Sequence, residues 1–145
     1  SAAPGAVYSR FGTYLLPMAY PEGAPTHPSY PAGHAAISGA CSTVLKAFFD
    51  ESFVLPKPKA TDRDGLALVE WAGVPLTLGG EINKLASNCT LARDTAGVHY
   101  RQDGVQGLLL GEQVGLALLR EFRALYPEPF DGFRLTTFGG KVITV

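Results

Sequence analysis

Apolar side chains recur with the period of an α-helix from His34 onwards, and this periodicity constrains the fold more than any other feature of the sequence. Five of them share one stripe, at i, i+4, i+7, i+8 and i+11: Ile37, Cys41, Val44, Leu45 and Phe48. The spacing predicts a helix that runs to about Phe49 and buries this stripe. The sequence therefore predicts that at least one further element packs against it.

Two more helices are predicted downstream. Apolar residues from Ile82 to Cys89 repeat at i, i+3, i+4 and i+7, and Gly97 is expected to end that helix. The third helix contains a wide arc of leucines and stops before Pro127. A helix with so wide an apolar arc is usually enclosed by other helices. Three helices cannot cover this much apolar surface by packing on one another alone, so we expect them to pack on elements outside this sequence.

The remaining segments predict a mainly α domain with irregular flanks. Residues 1–33 combine proline, glycine and aromatic side chains without a sustained period, which predicts an extended segment. Residues 34–127 form the predicted helical core, interrupted by a surface excursion at 50–78. In 133–145, β-branched and aromatic residues flank Gly139-Gly140, which predicts a β-hairpin with a two-residue turn.

Length and charge narrow the classes of function. A chain of 145 residues is long enough for a single domain. Lys and Arg total 12 against 13 for Asp and Glu, so no long-range field favours nucleic acid or a membrane surface. No apolar run reaches the roughly 20 residues that span a bilayer, which predicts a soluble protein and leaves secretion or a periplasmic location open. Cys41 and Cys89 are expected to be buried thiols.

Three histidines and one arginine suggest an anion site. His99 and Asp103 are spaced at i and i+4, so the carboxylate is expected to lie near the imidazole. A break at Gly97 would let Arg93 converge with His99. The helix that opens at Gly33-His34 presents backbone N–H groups and a positive dipole end. Together these groups predict a site for a tetrahedral oxyanion; zinc is a weaker alternative, because no Cys or Glu completes a tetrahedral ligand set.

Two stretches carry a family resemblance. HPSYPAGHAAISGA at 27–40 and ARDTAGVHYRQDG at 92–104 resemble signature segments of the vanadium-dependent haloperoxidases, which share their site with type 2 phosphatidic acid phosphatases and bacterial acid phosphatases. GEINKLASN and DGVQGLLLGE also resemble the algal bromoperoxidases, so the likeness covers about residues 24–121. The resemblance implies that 1–145 is the C-terminal portion of a helical-bundle haloperoxidase.

The resemblance also implies roles for individual residues. His99 would bond vanadium, Arg93 and the Gly33 amide would hold vanadate oxygens, and His34 would act as acid and base. For Asp103 two roles stay open: it could support an arginine behind the site, or be a direct partner of His99. His27 matches a position near the halide route that is histidine in bromoperoxidases. Phosphate can occupy the same site.

The implied reaction is oxidation of bromide or another halide by hydrogen peroxide to hypohalous acid, which then reacts with an organic acceptor. Algal relatives form homo-oligomers, so assembly is expected by resemblance. Two alternatives stay open: a phosphatase with His99 as nucleophile, and a non-catalytic fragment or subunit.

The sequence departs from the family pattern in three places. Ala32 replaces a serine whose hydroxyl bonds a vanadate oxygen in relatives, and Ala92 replaces the serine before the motif arginine. The first signature, a lysine followed by Arg-Pro, is absent, since no Arg-Pro dipeptide occurs in the chain. The chain therefore carries about half of the implied site, and the missing cations are expected from an upstream segment or a second chain.

Overall fold

Four helices dominate the computed structural model, which describes residues 2–15 and 25–145. The elements of the described chain, in order, are α1 (Ala2–Phe11), α2 (Gly33–Phe48), β1 (Lys59–Thr61), β2 (Leu68–Glu70), α3 (Leu78–Thr95), α4 (Arg101–Leu125), β3 (Arg134–Thr136) and β4 (Val142–Thr144). The three predicted helices are present as α2, α3 and α4. Within these described ranges, no helix is long and apolar enough to cross a membrane.

The first helix corrects the prediction for the N-terminal segment. Residues 2–11 are helical, not extended, although α1 buries none of its side chains. Pro4 falls in the first turn, where a missing N–H costs no intrahelical hydrogen bond. Gly12 ends the helix with φ +69 and donates its N–H to the Tyr8 carbonyl at 2.8 Å. Residues 16–24 of the predicted extended segment lie outside the described chain.

Helices α2 and α4 pack backbone against backbone. A Cβ added at Gly39 would overlap the carbonyl group of Leu108, and one at Gly111 would overlap that of Ala36. The glycines of α4 that line this seam are spaced four residues apart, on one helical ridge: Gly107, Gly111 and Gly115. The absence of side chains at these positions therefore sets how closely the two helices approach.

The apolar stripe of α2 faces outward in this chain, which corrects the prediction that it is buried here. Ile37 is 66% exposed and Phe48 is 77% exposed. The buried face of α2 consists of small or polar residues: Ala35, Gly39, Ser42, Thr43 and Lys46. Small residues allow the close approach to α4, so they occupy the inner side and leave the larger apolar side chains outside. Cys41 and Cys89 are free but exposed, so the prediction of buried thiols is wrong.

The C-terminal hairpin closes one end of the helix pair. β3 and β4 pair antiparallel with Leu135 opposite Ile143. Leu135 and Val145 bury their side chains against Leu116 and Leu119 of α4. The hairpin was predicted, but five residues, 137–141, separate the paired strands instead of two. Gly140 takes φ +81 there, a conformation that glycine adopts without steric cost.

A buried lysine joins this hairpin to α2. Lys46 is fully buried, donates from Nζ to the Thr136 carbonyl at 2.7 Å, and lies 4.3 Å from the centre of the Phe138 ring. Glu51 accepts from the Thr136 amide at 3.1 Å, and Glu112 accepts from the Phe138 amide at 2.5 Å. Burial lowers the pKa of Lys46, while Glu112 and Glu51 oppose that shift. The network fixes the hairpin against both helices.

The excursion between α2 and α3 is mostly exposed. Its two short strands, β1 and β2, pair antiparallel with Ala60 opposite Val69. Thr77 ends the excursion as the N-cap of α3, its side chain accepting from the Gly80 amide at 3.2 Å. The excursion therefore leads directly into the helix that carries Arg93.

Candidate functional site

The turn between α3 and α4 carries His99. Gly97 takes φ +79, and its amide donates to the Asp94 carbonyl at 3.0 Å. The Val98 amide donates to the Arg93 carbonyl at 3.3 Å. These bonds end α3 and reverse the chain, so Arg93 and His99 lie on either side of one tight turn. The break at Gly97 was predicted from the sequence.

His99 and Asp103 lie together in the interior. His99 is 5% exposed and Asp103 6% exposed, and Nδ1 of the imidazole is 3.4 Å from Oδ2 of the carboxylate. This contact does not come from i, i+4 spacing along one helix, because α4 begins only at Arg101, after His99. Asp103 is instead the third residue of α4 and accepts from the Tyr100 amide at 3.0 Å, as in a capping box. The same carboxylate thus starts the helix and lies close to the imidazole, although no hydrogen bond joins the two side chains.

The N-terminus of α2 is tied to this turn. The Ala32 amide donates to the Asp103 carbonyl at 2.9 Å. Gly33 and His34 form the first turn of α2 and are exposed. Ala32 is the N-cap and makes no side-chain cap hydrogen bond. The first turn of α2 therefore presents its backbone N–H groups next to the His99–Asp103 pair, and no side chain caps them. This arrangement favours the binding of an anion.

Arg93 and His27 complete the set of residues singled out from the sequence. Arg93 lies half-buried in the last turn of α3. His27 is exposed, before α2, and its Nδ1 is 2.8 Å from the Pro28 carbonyl oxygen. This contact is local, and it does not join His27 to the His99–Asp103 pair.

Asp94 is a further candidate that the sequence pattern did not single out. Its Oδ1 atom is buried and has no hydrogen-bond partner. Burial raises the pKa of Asp94, His99 and Arg101 oppose that shift, and Asp103 adds to it. The sequence feature that could have identified Asp94 is its position five residues before His99, across the turn made by Gly97.

The charges around this turn balance. Two arginines, Arg93 and Arg101, accompany two carboxylates, Asp94 and Asp103. These four groups leave no formal surplus of positive charge for a multiply charged oxyanion. The buried imidazole and the α2 N-terminus fit one side of an oxyanion site, and additional cations are needed on the other side.

Comparison with known proteins places the fold. A family model of the VCPO second helical-bundle domain matches residues 8–127. The chain belongs to this family. Membership in this family confirms the family resemblance and the mainly α helical-bundle fold that were predicted from the sequence.

Curated relatives of this VCPO second-bundle chain are algal enzymes. It is 47% identical to the vanadium-dependent bromoperoxidase of Corallina pilulifera over 135 residues, 92% of this chain and 22% of that protein. It is 48% identical to the vanadium-dependent bromoperoxidase of Ascophyllum nodosum over 134 residues, 90% of this chain and 24% of that protein. The chain thus spans less than a quarter of the length of these relatives.

Proposed function

We propose that this chain is the C-terminal part of a vanadate-dependent bromoperoxidase, which oxidises bromide or another halide with hydrogen peroxide to hypohalous acid. The observation that supports this most is the junction of three groups: the buried His99–Asp103 pair, the turn after Arg93, and the N-terminus of α2 bonded through Ala32 to Asp103. The names of the algal relatives supply the reaction class.

His99 is the proposed vanadium ligand. Its Nδ1 atom lies 3.4 Å from the Asp103 carboxylate without a hydrogen bond between them. A carboxylate at this distance favours a proton on Nδ1 and leaves Nε2 to bond the metal. Ligating histidines commonly face a carboxylate in this way, because the carboxylate fixes the ring orientation and raises its basicity. Asp103 is in turn held by the Tyr100 amide, so the ring is braced from the backbone of α4.

Gly33, His34 and Arg93 are the proposed groups around the oxyanion. The Gly33 amide lies at the positive end of α2, and glycine lets an oxygen approach the backbone closely. Arg93 offers a planar fork of donors that suits adjacent oxygens. A ring nitrogen of His34, exposed in the first turn of α2, would accept a proton from hydrogen peroxide and later return it. His27 is the proposed influence on halide preference.

Bound vanadate would supply Lewis acidity that activates hydrogen peroxide toward the halide. The protein residues would orient the oxyanion and handle the proton. Hypohalous acid would then halogenate an organic acceptor.

The remaining cations are proposed to come from an upstream segment or a second chain. An open apolar face supports this proposal: an exposed strip of α2 and an exposed strip of α4 flank a shallow groove lined by Cys41, Leu45 and Leu118. The face consists of Ile37, Cys41, Leu45, Phe48, Leu110, Val114, Leu118 and Phe122. A continuous apolar surface of this kind usually marks an interface. An additional helix seated here would enlarge the core, and a second copy of the chain in a homo-oligomer is the other proposed occupant.

Bromination of phenol red by the complete polypeptide that carries this chain tests the proposal. We expect bromination with bromide and hydrogen peroxide that requires added orthovanadate and is inhibited by inorganic phosphate, which competes for the same groups. Hydrolysis of p-nitrophenyl phosphate without bromination would show the phosphatase alternative. The absence of both reactions in a folded protein would show that the chain is non-catalytic.

Replacing Ala32 with serine is expected to strengthen vanadate binding about fivefold. A serine at the N-cap of α2 can bond either an α2 amide or a vanadate oxygen. The first bond stabilises a helix by about 0.5–2 kcal/mol relative to alanine, and a hydrogen bond to a charged group contributes about 1.5–3 kcal/mol. Since one bond replaces the other, the net gain in affinity is the difference between them, about 1 kcal/mol. At about 1.4 kcal/mol per factor of ten, this is roughly fivefold.

Thermal unfolding without vanadate and equilibrium dialysis with orthovanadate measure these two effects of Ala32→Ser separately. We expect a higher melting temperature in the first and a lower Kd in the second. A melting temperature that rises while the Kd stays unchanged would mean that position 32 only caps the helix and does not face the oxyanion.

A further inference from the structure

We infer that Gly107 is a positioning residue for the oxyanion site, because it sets the distance between the N-terminus of α2 and the turn that carries His99. The inference rests on the function proposed above. Gly107 itself would contact neither vanadate nor peroxide. Its part is to let the backbone of α2 lie directly on the first turns of α4.

The contacts of Gly107 are with the start of α2. A Cβ at this position would lie 2.5 Å from the carbonyl oxygen of Ala32, 2.7 Å from the Cβ of Ala35 and 3.3 Å from the amide nitrogen of Ala36. The first and last of these are backbone atoms, which cannot turn aside as the end of a long side chain can. A methyl group at Gly107 would therefore displace the first turn of α2.

The displaced turn carries half of the candidate site. His99 is held on the α4 side, with Nδ1 3.4 Å from Asp103. Gly33 and His34 are on the α2 side and follow Ala32, whose amide bonds the Asp103 carbonyl at 2.9 Å. Gly107 lies one helical turn beyond Asp103. A methyl group there would push the two helices apart next to the hydrogen bond between Ala32 and Asp103. It would separate the proposed metal ligand from the proposed oxyanion donors and proton carrier.

Gly115 provides a control on the same ridge, with a milder clash. A Cβ there would lie 2.9 Å from the Thr43 Cβ and 3.0 Å from the Ala40 carbonyl oxygen, so alanine also wedges α2 from α4. This position is eight residues further along α4, or about 12 Å at 1.5 Å per residue. Both changes gain the same helix propensity and disturb the same helix pair. Only Gly107→Ala disturbs the end at which the start of α2 is bonded through Ala32 to Asp103.

The experiment compares the complete polypeptide with its Gly107→Ala and Gly115→Ala variants. Orthovanadate binding is measured by equilibrium dialysis, thermal unfolding without vanadate by circular dichroism, and bromide oxidation as a function of pH. We expect both variants to melt at lower temperature. We expect only Gly107→Ala to bind vanadate at least tenfold more weakly, with kcat/KM for bromide oxidation lower by about 10²-fold, since a misplacement of about 1 Å can cost that much.

A partial rescue distinguishes positioning from a general loss of stability. Ala35→Gly removes the Cβ that a methyl group at position 107 would meet, so the double variant Ala35→Gly/Gly107→Ala is expected to recover part of the vanadate affinity. The same double variant replaces Gly107→Ala if the single variant does not fold. Equal affinity for vanadate in wild type and Gly107→Ala, or an equal loss in Gly115→Ala, would overturn the inference. A wild-type protein that binds no vanadate would instead overturn the proposed function and this inference with it.

Discussion

Replacing His99 with alanine is expected to abolish vanadate-dependent bromide oxidation and to weaken vanadate binding by more than about 100-fold. Changing a residue that only supports a metal ligand typically costs 10–100-fold in affinity or activity, and removal of the ligand itself should cost more. The change should leave the start of α4 in place, because Asp103 would still accept from the Tyr100 amide at 3.0 Å. Loss of function is therefore expected without loss of the helical fold.

Equilibrium dialysis with orthovanadate and far-ultraviolet circular dichroism check both parts of this result. Since His99 is 5% exposed, alanine would leave a cavity, and free imidazole is expected to restore part of the bromination. A His99→Ala variant that binds vanadate as tightly as wild type would show that another residue bonds the metal.

Replacing Lys46 with methionine is expected to lower the free energy of unfolding by about 3–5 kcal/mol, the usual effect of removing one partner from a buried charged network. The side chain is fully buried and donates to the Thr136 carbonyl. Glu112, which is 4% exposed, would lose its opposing charge in the interior. Methionine has a similar length, so the loss would come from charge and hydrogen bonding more than from packing.

Denaturant unfolding measures this effect, and Lys84→Met is the matched control. Lys84 is exposed and pairs with Glu81 one turn away on α3, so its loss should change stability by no more than about 0.5 kcal/mol. Adding Glu112→Gln to Lys46→Met is expected to recover part of the loss. If the two lysine variants unfold at the same denaturant concentration, the network does not hold the hairpin.

The helices could be predicted from the sequence, but their orientation could not. Periodicity located α2 to within one or two residues at each end, and Gly97 and Pro127 marked the ends of α3 and α4. Periodicity cannot say which of two faces meets the rest of the same chain. The inner face of α2 is marked by Gly39 and small residues, and the corresponding signal in α4 is the four-residue spacing of Gly107, Gly111 and Gly115. These glycines indicate where two helix backbones can approach closely, and a hydrophobic pattern does not report that property.

The candidate site was predictable where local chain geometry determines it. The His99–Asp103 contact and the turn after Arg93 depend on residues close in sequence. The hydrogen bond from Ala32 to Asp103 joins positions 71 residues apart, so only the packing of α2 on α4 reveals it. Asp94 was not singled out from the sequence, because the burial of its Oδ1 atom is visible only in the folded chain.

X-ray absorption at the vanadium edge tests the central claim most directly, using the complete polypeptide loaded with orthovanadate beside its His99→Ala variant. The proposed site predicts one nitrogen ligand among oxygens in the wild type and its loss in the variant. A wild-type spectrum with oxygen ligands alone, or a nitrogen ligand that persists without His99, would contradict it.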